Sequence, residues 1–504
     1  MQFITIQFFI FFLAVFFIAI LLKDEKKHYP KFLLFASLTF YLFFGIKFFV
    51  ILILNICVNF FFLKSLSKFG KKILTFSIIT NVLFLAAFKY YNFGIDSFLQ
   101  LLNLLKIPAD IQVLRILIPV GISFYTFRNI SHLVDCHRKE LPVPSFVDFA
   151  NYVAFFPQIM SGPIVRAKDF YTYLHEPKLF TYSQGRIITL ILSGLLKKYV
   201  VASYLFNFAT NPFTSPTNYS TLDLISAAFA YSIMIFVDFS GYSDFAIAIS
   251  NLLGFHVNRN FLSPYSAIGL KDFWNRWHIS LSAWLRDYVY IPLGGSRKGK
   301  ARKYLNIVIT MFISGLWHGA GMTFVVWGLL HGIGSLVSHF ITDSLQKRSE
   351  QKNDTKILEI FDKYEIEQLP FETEPSQTAC GLFVGVDENE FDDEIDALLE
   401  NFDAKPEINE ENPTKSIVSI FAKTIGWAIT FVYVTFTWIF FTSSSLANAF
   451  GFIGSIFVSQ VSENKIFNFR LLFVCAIVLL FNFIGNKSFR FSIDFFDKIP
   501  LFAR

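Results

Sequence analysis

Residues 304–337 read YLNIVITMFISGLWHGAGMTFVVWGLLHGIGSLV, an apolar stretch long enough for membrane helices and almost free of charge. Near its middle stands Trp317-His318-Gly319. A titratable ring at that depth costs free energy unless it is paired or working, so an intramembrane histidine points to a functional site. Forty residues upstream, residues 273–282 read FWNRWHISLS and bring a second histidine, His278. Two such histidines suggest proton chemistry on a substrate that reaches into the bilayer. The plainer alternative for each is a histidine that hydrogen-bonds across helices or orients its neighbour.

Working outward, the rest of the chain agrees with a membrane setting. Of 504 residues, 54% are hydrophobic, 19% aromatic and only 16% charged, with a mean hydropathy of +0.50. Soluble domains seldom have this balance, whereas polytopic all-α membrane proteins do. The 67 phenylalanines suit helices facing lipid and one another. Residues 3–22 are uncharged, with no basic residue ahead and no small-residue cleavage site, and read as a retained spanning helix rather than a signal peptide. The cysteines 57, 136, 380 and 475 show no CxxC and no regular spacing, which argues against a disulfide framework, a zinc ribbon or an iron–sulfur site. No metal and no nucleic-acid partner are expected.

The net charge of +6 hides an asymmetry: residues 343–415 carry 21 acidic and 7 basic side chains, so the remainder is strongly basic. Lysine-rich loops at 23–31 and 64–72 are expected on the cytoplasmic side, with the N-terminus outside. Residues 32–63 suit a hairpin broken near Gly45, and 73–91 a further span. Residues 116–134 and 151–165 are interrupted by Pro119-Val120-Gly121 and Phe156-Pro157 and read as partly re-entrant, because broken backbone at membrane depth needs protein or a cavity around it. Further spans are expected at 187–206, 222–239, 245–255, 304–317, 323–341, 417–441, 450–461 and 471–484, ten to twelve membrane helices in all. Three parts follow: a membrane core at 1–342, an acidic, flexible cytoplasmic insert at 343–415, and C-terminal membrane helices at 416–504. Within the insert, 357–369 and 394–402 look amphipathic, and 387–396 resembles a calcium loop in composition but lacks the alternating ligands and central glycine.

A helix through 274–284 would put Asn275, His278 and Ser282 on one face at i, i+3 and i+7, with Arg276 and Trp277 pointing elsewhere. The glycines around His318 permit close helix contact or passage of a substrate chain. A neutral, desolvated imidazole there can take a proton from a hydroxyl that attacks an acyl carbonyl. His331, thirteen residues further on, would lie about 20 Å away and on the far side of one continuous helix. The remaining histidines, 28, 132, 137, 175, 256 and 339, are expected in or near polar loops without a role. Gly294 to Lys300 matches part of a phosphate-binding P-loop, but Ala301 stands where Ser or Thr would hold magnesium and no strand precedes it. An ATPase is excluded, and the basic run 297–303 reads as a cytoplasmic topology signal.

At these motifs the chain resembles the membrane-bound O-acyltransferases, in their bacterial alginate O-acetyltransferase-like branch. The resemblance rests on residues 272–282 (DFWNRWHISLS), 284–295 (WLRDYVYIPLGG) and 315–319 (GLWHG), supported by 119–124, 156–163 and 238–244. It implies a ring of membrane helices around a tunnel, with His318 as the essential histidine and His278 as its helper. It also implies acetyl-CoA as the cytoplasmic donor substrate, with no cofactor held. The acetyl group would pass outward, through a separate extracytoplasmic acetyltransferase partner, to a cell-surface polysaccharide such as alginate. The setting would be the bacterial inner membrane. Trp274, Asn275, Trp277, Ser282 and Trp317 are tunnel candidates, and Asn275 or a tryptophan N–H is a candidate oxyanion donor. Two features depart from the family pattern: the acidic insert, and His132 where relatives often have tyrosine.

Two other acyl acceptors stay open on the same scaffold, giving a D-alanyl or a peptidoglycan acyltransferase. A polysaccharide or lipid transporter would also use broken helices and intramembrane histidines, but it predicts internal repeats, and the histidine motifs occur once. A scaffold that recruits the working enzyme through its acidic insert is a third reading.

Overall fold

In the computed structural model the described residues are 5–107, 114–180, 182–351, 413–458, 461 and 463–499. Most of the acidic insert, with its amphipathic pieces and its calcium-loop look-alike, lies outside them. Among the described residues the architecture is helical, and the only extended pairing recorded is a single bridge between Phe261 and Trp277. The chain begins with α1 (Ile6–Leu22), α2 (Tyr29–Leu42), α3 (Ile46–Phe69) and α4 (Lys71–Leu104). Shorter elements follow: α5 (Ile122–His137), α6 (Phe146–Ala154), α7 (Ala167–His175), α8 (Gln184–Leu195) and α9 (Ser203–Thr214). Then come α10 (Thr221–Leu252), α11 (Leu270–Arg276), α12 (Ile279–Leu285), α13 (Lys300–His318) and α14 (Met322–Gln351). The C-terminal part holds α15 (Pro413–Thr442), α16 (Leu446–Val458), α17 (Phe469–Ile484) and α18 (Asn486–Lys498).

Among the described residues six helices are long and apolar enough to cross a membrane, or seven if the bent α17–α18 pair counts as one span; α1 and α16 are shorter apolar helices. The other expected segments appear as shorter or more polar helices. The protein is a multi-pass membrane protein whose apolar side chains face outward along much of its length. In α4 only 11% of the most apolar window is buried, against 61% in α10. Helix α10 is thus the internal mast. Its first half joins one apolar core with α9, α11 and α14 to α17, and its last turns join a second core built from α1 to α7.

Sequence reasoning places two spans here, at 222–239 and 245–255, with the DFSGYSD motif (238–244) at their junction. The helix instead runs through that motif. Two acidic side chains are tolerated there because each meets a lysine from the π-helical segment between α8 and α9: Lys198 Nζ lies 2.6 Å from Asp238 and Lys197 Nζ 2.8 Å from Asp244. Gly241 is needed for that crossing, since a Cβ there would come within 3.0 Å of the Lys198 backbone nitrogen.

The expected break near Gly45 is present: its φ of 116° ends the α2 side of the hairpin and begins α3. Helices α3, α4 and α5 are joined by buried asparagines. Asn81 Nδ2 donates to Asn59 Oδ1 at 2.6 Å, and Asn129 Nδ2 to Asn55 Oδ1 at 2.7 Å. Such amide pairs hold helices together where lipid gives no hydrophobic drive for association. The irregular chain after α6 is enclosed by protein, with Phe155, Phe156, Gln158 and Ile159 all buried. That satisfies the condition for non-helical backbone at depth.

Candidate active site

Helices α13 and α14 form a tight antiparallel hairpin, and its glycines explain why. A Cβ at Gly315 would lie 2.3 Å from the Phe324 carbonyl oxygen, and one at Gly328 would lie 2.6 Å from that of Met311. The helices touch backbone to backbone, as small-residue interfaces allow. His318 is the last residue of α13, and Gly319 leaves it in extended conformation. The imidazole sits among three rings: Trp317 at 4.6 Å, Trp327 at 5.0 Å and Phe441 at 5.0 Å between centroids. It is only half-buried, and among the described residues it has no hydrogen-bond partner. Neither ring nitrogen is engaged by another described residue.

His278 is built differently. The expected continuous helix through 274–284 is absent: α11 stops at Arg276, Trp277 is extended, and His278 takes the left-handed conformation at φ 46° and ψ 52° before α12 begins. The break is possible because residues 260–262 satisfy the freed backbone. Leu262 N–H donates to the Arg276 carbonyl at 2.9 Å, and Ile279 N–H to that of Asn260 at 3.0 Å. Asn275 and Ser282 therefore do not share a helical face with His278. Ser282 Oγ turns back to the Trp277 carbonyl at 3.5 Å, and Asn275 Oδ1 is buried without a partner among the described residues.

Asn260, which sequence reasoning missed, defines the tautomer of His278. Its Oδ1 accepts from Ser280 N–H at 3.2 Å, from Ser280 Oγ at 2.9 Å and from His278 Nδ1 at 3.2 Å. A backbone donor fixes the amide's orientation, so Nδ1 carries the proton and Nε2 presents a lone pair. That Nε2 is buried with no partner among the described residues. The ring packs edge-on against Phe239 at 4.8 Å and lies 6.3 Å from Trp317.

Trp317 thus touches both histidines, and its own Nε1 is buried without a partner among the described residues. Its ring stacks on Phe127 at 5.2 Å, Phe127 stacks on Trp284 at 4.0 Å, and Trp284 meets Tyr288 at 5.2 Å. This aromatic column runs from His318 to a polar cluster where Tyr288 donates to Asp135 at 2.7 Å and Arg166 pairs with Asp287. Trp274 and Trp277 lie on the other side. Trp274 packs 5.1 Å from His331 and 5.9 Å from Trp327, while Trp277 packs against Trp438, Phe261 and Phe236.

The expectation for His331 is overturned. The chain reverses after His318, so His331 does not lie a helix length away; Trp327 lies 4.7 Å from it and 5.0 Å from His318. His331 is nevertheless fully buried, with Nε2 on Thr437 Oγ1 at 2.9 Å. Other histidines also depart from the polar loops expected for them. His132 is buried in α5 against Tyr171 Oη at 2.9 Å, and His339 is buried with Nδ1 on the Ser335 carbonyl at 2.8 Å. The P-loop-like run follows a π-helical turn and leads into α13, and Gly295 gives its carbonyl to Asn306 at 2.9 Å. Among the described residues no group of three or more His, Cys, Asp or Glu gathers in a way that could hold a metal ion.

Residues 32–361 match the MBOAT, membrane-bound O-acyltransferase family, and both histidine motifs fall inside that match. The chain belongs to the membrane-bound O-acyltransferase family. Similar proteins include the probable alginate O-acetylase AlgI of Pseudomonas syringae pv. tomato, 39% identical over 53% of this chain and 51% of the relative. The peptidoglycan O-acetyltransferase of Helicobacter pylori is 34% identical over 63% of this chain and 66% of the relative. The teichoic acid D-alanyltransferase of Streptococcus thermophilus is 30% identical over 53% of this chain and 70% of the relative. The chain spans about half the length of the alginate O-acetylases it matches. Within the family match, His318 and His278 are the histidines of the two motifs, and both meet the ring of one tryptophan, Trp317.

Proposed function

We propose that this protein is a membrane O-acyltransferase that moves an acetyl group from cytoplasmic acetyl-CoA toward a polysaccharide outside the bacterial inner membrane. The observation that carries the reading is His318: an imidazole inside a membrane hairpin, half-open, ringed by aromatics and holding no hydrogen bond among the described residues. An intramembrane polar group without an internal partner suits a substrate partner. In this reading His318 is the general base toward the acceptor hydroxyl, and His278, locked by Asn260 with its Nε2 lone pair free, assists. Trp317, in ring contact with both, is a candidate N–H donor, with Asn275 a second candidate. Trp274, Trp277 and Ser282 then support the aromatic surroundings. The family, and relatives named for acyl transfer to alginate, peptidoglycan and teichoic acid, support this chemistry.

Donor entry would follow the aromatic column from the Tyr288 and Arg166 cluster toward His318, and the acetyl group would leave on the outer side through an extracytoplasmic acetyltransferase partner. Membranes carrying the wild type or His318→Ala, supplied with radiolabelled acetyl-CoA, test this directly. Label should reach a surface glycan or a partner protein only with the wild type. Equal labelling at equal protein levels would sink the assignment. Peptidoglycan is a second acceptor worth separating from alginate-like polymers, because the peptidoglycan O-acetyltransferase relative aligns over more of both chains than the alginate O-acetylase does. Digesting labelled envelopes with a muramidase distinguishes the two.

A further inference from the structure

Residues 73–88 of α4 carry no charge, and then Lys89 appears within the membrane-length helix. The lysine is half-buried, and its Nζ lies 5.3 Å from the centroid of the Trp317 ring, the ring that also touches His318 and His278. Among the described residues it has no carboxylate partner and no hydrogen-bond acceptor. Lys197 and Lys198, also placed between membrane helices, are both paired with aspartates at 2.8 and 2.6 Å. An ammonium left unpaired at membrane depth, beside a reactive imidazole, is a charge awaiting a ligand.

Its position is held firmly. The next residue, Tyr90, donates its hydroxyl to the Leu316 carbonyl, tying α4 to the end of α13 that carries Trp317 and His318. Less than a turn further on, Asn92 exchanges two hydrogen bonds with the backbone of Ile116, at 2.8 and 3.0 Å. These bonds set Lys89 over Trp317 independently of any substrate. The aromatic face beneath the ammonium is attractive to a cation but cannot neutralise it.

We propose that Lys89 is a further catalytic residue, whose ammonium faces the negative charge that builds on the acyl carbonyl oxygen beside His318. The inference rests on the acyl-transfer reading above. As the acceptor hydroxyl oxygen bonds to the acyl carbon, His318 takes the hydroxyl proton and the carbonyl electron pair moves onto oxygen. The oxyanion is stabilised by Lys89. Its electrons then return, the carbon–sulfur bond breaks, and the departing thiolate receives the proton from His318. Lys89 ends unchanged, as a preorganised charge should.

Initial rates against radiolabelled acetyl-CoA, measured in native-host membrane vesicles that retain acceptor and partner proteins, test this with Lys89→Met and Lys89→Arg. Lys89→Met should lower kcat about 10²–10³-fold, the loss seen when an oxyanion donor is removed, with KM for the donor changing less than about twofold. Lys89→Arg keeps the charge and should recover at least about tenfold over the methionine variant. Thermal melting in detergent checks that both variants fold. Equal loss in both variants, an unimpaired kcat in Lys89→Met, or a raised KM with intact kcat each overturns the inference. Absence of transfer by the wild type removes the acyl-transfer reading, and the role of Lys89 falls with it.

Discussion

His318 and His331 lie on the two arms of one hairpin, each followed by glycine, and both pack against Trp327. The environments differ in what remains available. His331 is sealed, and Thr437 gives its hydroxyl proton to the Val434 carbonyl at 2.7 Å, so it must accept from His331 Nε2. His318 keeps accessible surface and bonds to nothing among the described residues. A similar local sequence thus yields one imidazole buried and tied through Nε2 to Thr437, its Nδ1 enclosed without a partner among the described residues, and another kept free. The difference comes from the place on the helix: His331 projects from the interior of α14 against α15, while His318 terminates α13 where the chain turns.

The strongest way to break this contrast is His318→Ala. It should reduce acyl transfer by roughly 10²–10⁴-fold, the range for losing a general base, while the melting temperature in detergent stays near that of the wild type. A large fall in melting temperature with only modest loss of transfer would make His318 the structural member of the pair. Next comes Asn260→Ala, which frees the His278 ring to rotate or change tautomer. Orienting partners of this kind are worth about 10–100-fold, so the rate should drop by that order with donor KM little changed. Recovery of full rate in that variant would remove Asn260 from the site.

His331→Ala should do the reverse of His318→Ala. It opens a cavity beside Trp274 and Trp327 and should cost about 2–4 kcal/mol of stability by analogy with large-to-small core changes. Transfer per folded molecule should survive within about tenfold, a smaller loss than that of one general base; a dead but stable protein would mean that His331 joins the chemistry. The mildest change is Thr437→Val, which leaves His331 Nε2–H without its acceptor. A stability loss of about 1–3 kcal/mol and little change in rate are expected, read from the same melting curves. A stable Thr437→Val protein with greatly altered rate would show that the His331 bond tunes the site.

Much of the helical architecture was legible because apolar runs of membrane length have few other solutions for their backbone groups. The hairpin at Gly45 and the helices on either side of Trp317-His318-Gly319 follow from that rule. The failures have equally physical causes. Asp238 and Asp244 look like loop residues until Lys198 and Lys197 arrive from another segment to pair with them. The 274–284 segment has helical spacing, yet residues 260–262 compete for its backbone groups and break it at His278. Lys89 is visible in the sequence as a lone charge in an apolar helix. Asn260 and Trp327 carried no comparable local mark.

By itself the sequence determined that this is a multi-pass helical membrane protein with histidines placed where an unpaired polar ring is expensive. It determined this because hydrocarbon penalises every exposed backbone and charged group, and that penalty is readable residue by residue. Only the tertiary structure decided which histidine is free, which is enclosed against a neighbouring helix, and which tautomer His278 holds. Those outcomes depend on single hydrogen bonds accepted by Thr437 and Asn260 and on the reversal of the chain after His318. Such contacts join residues distant in sequence, and no spacing rule along one helix encodes them.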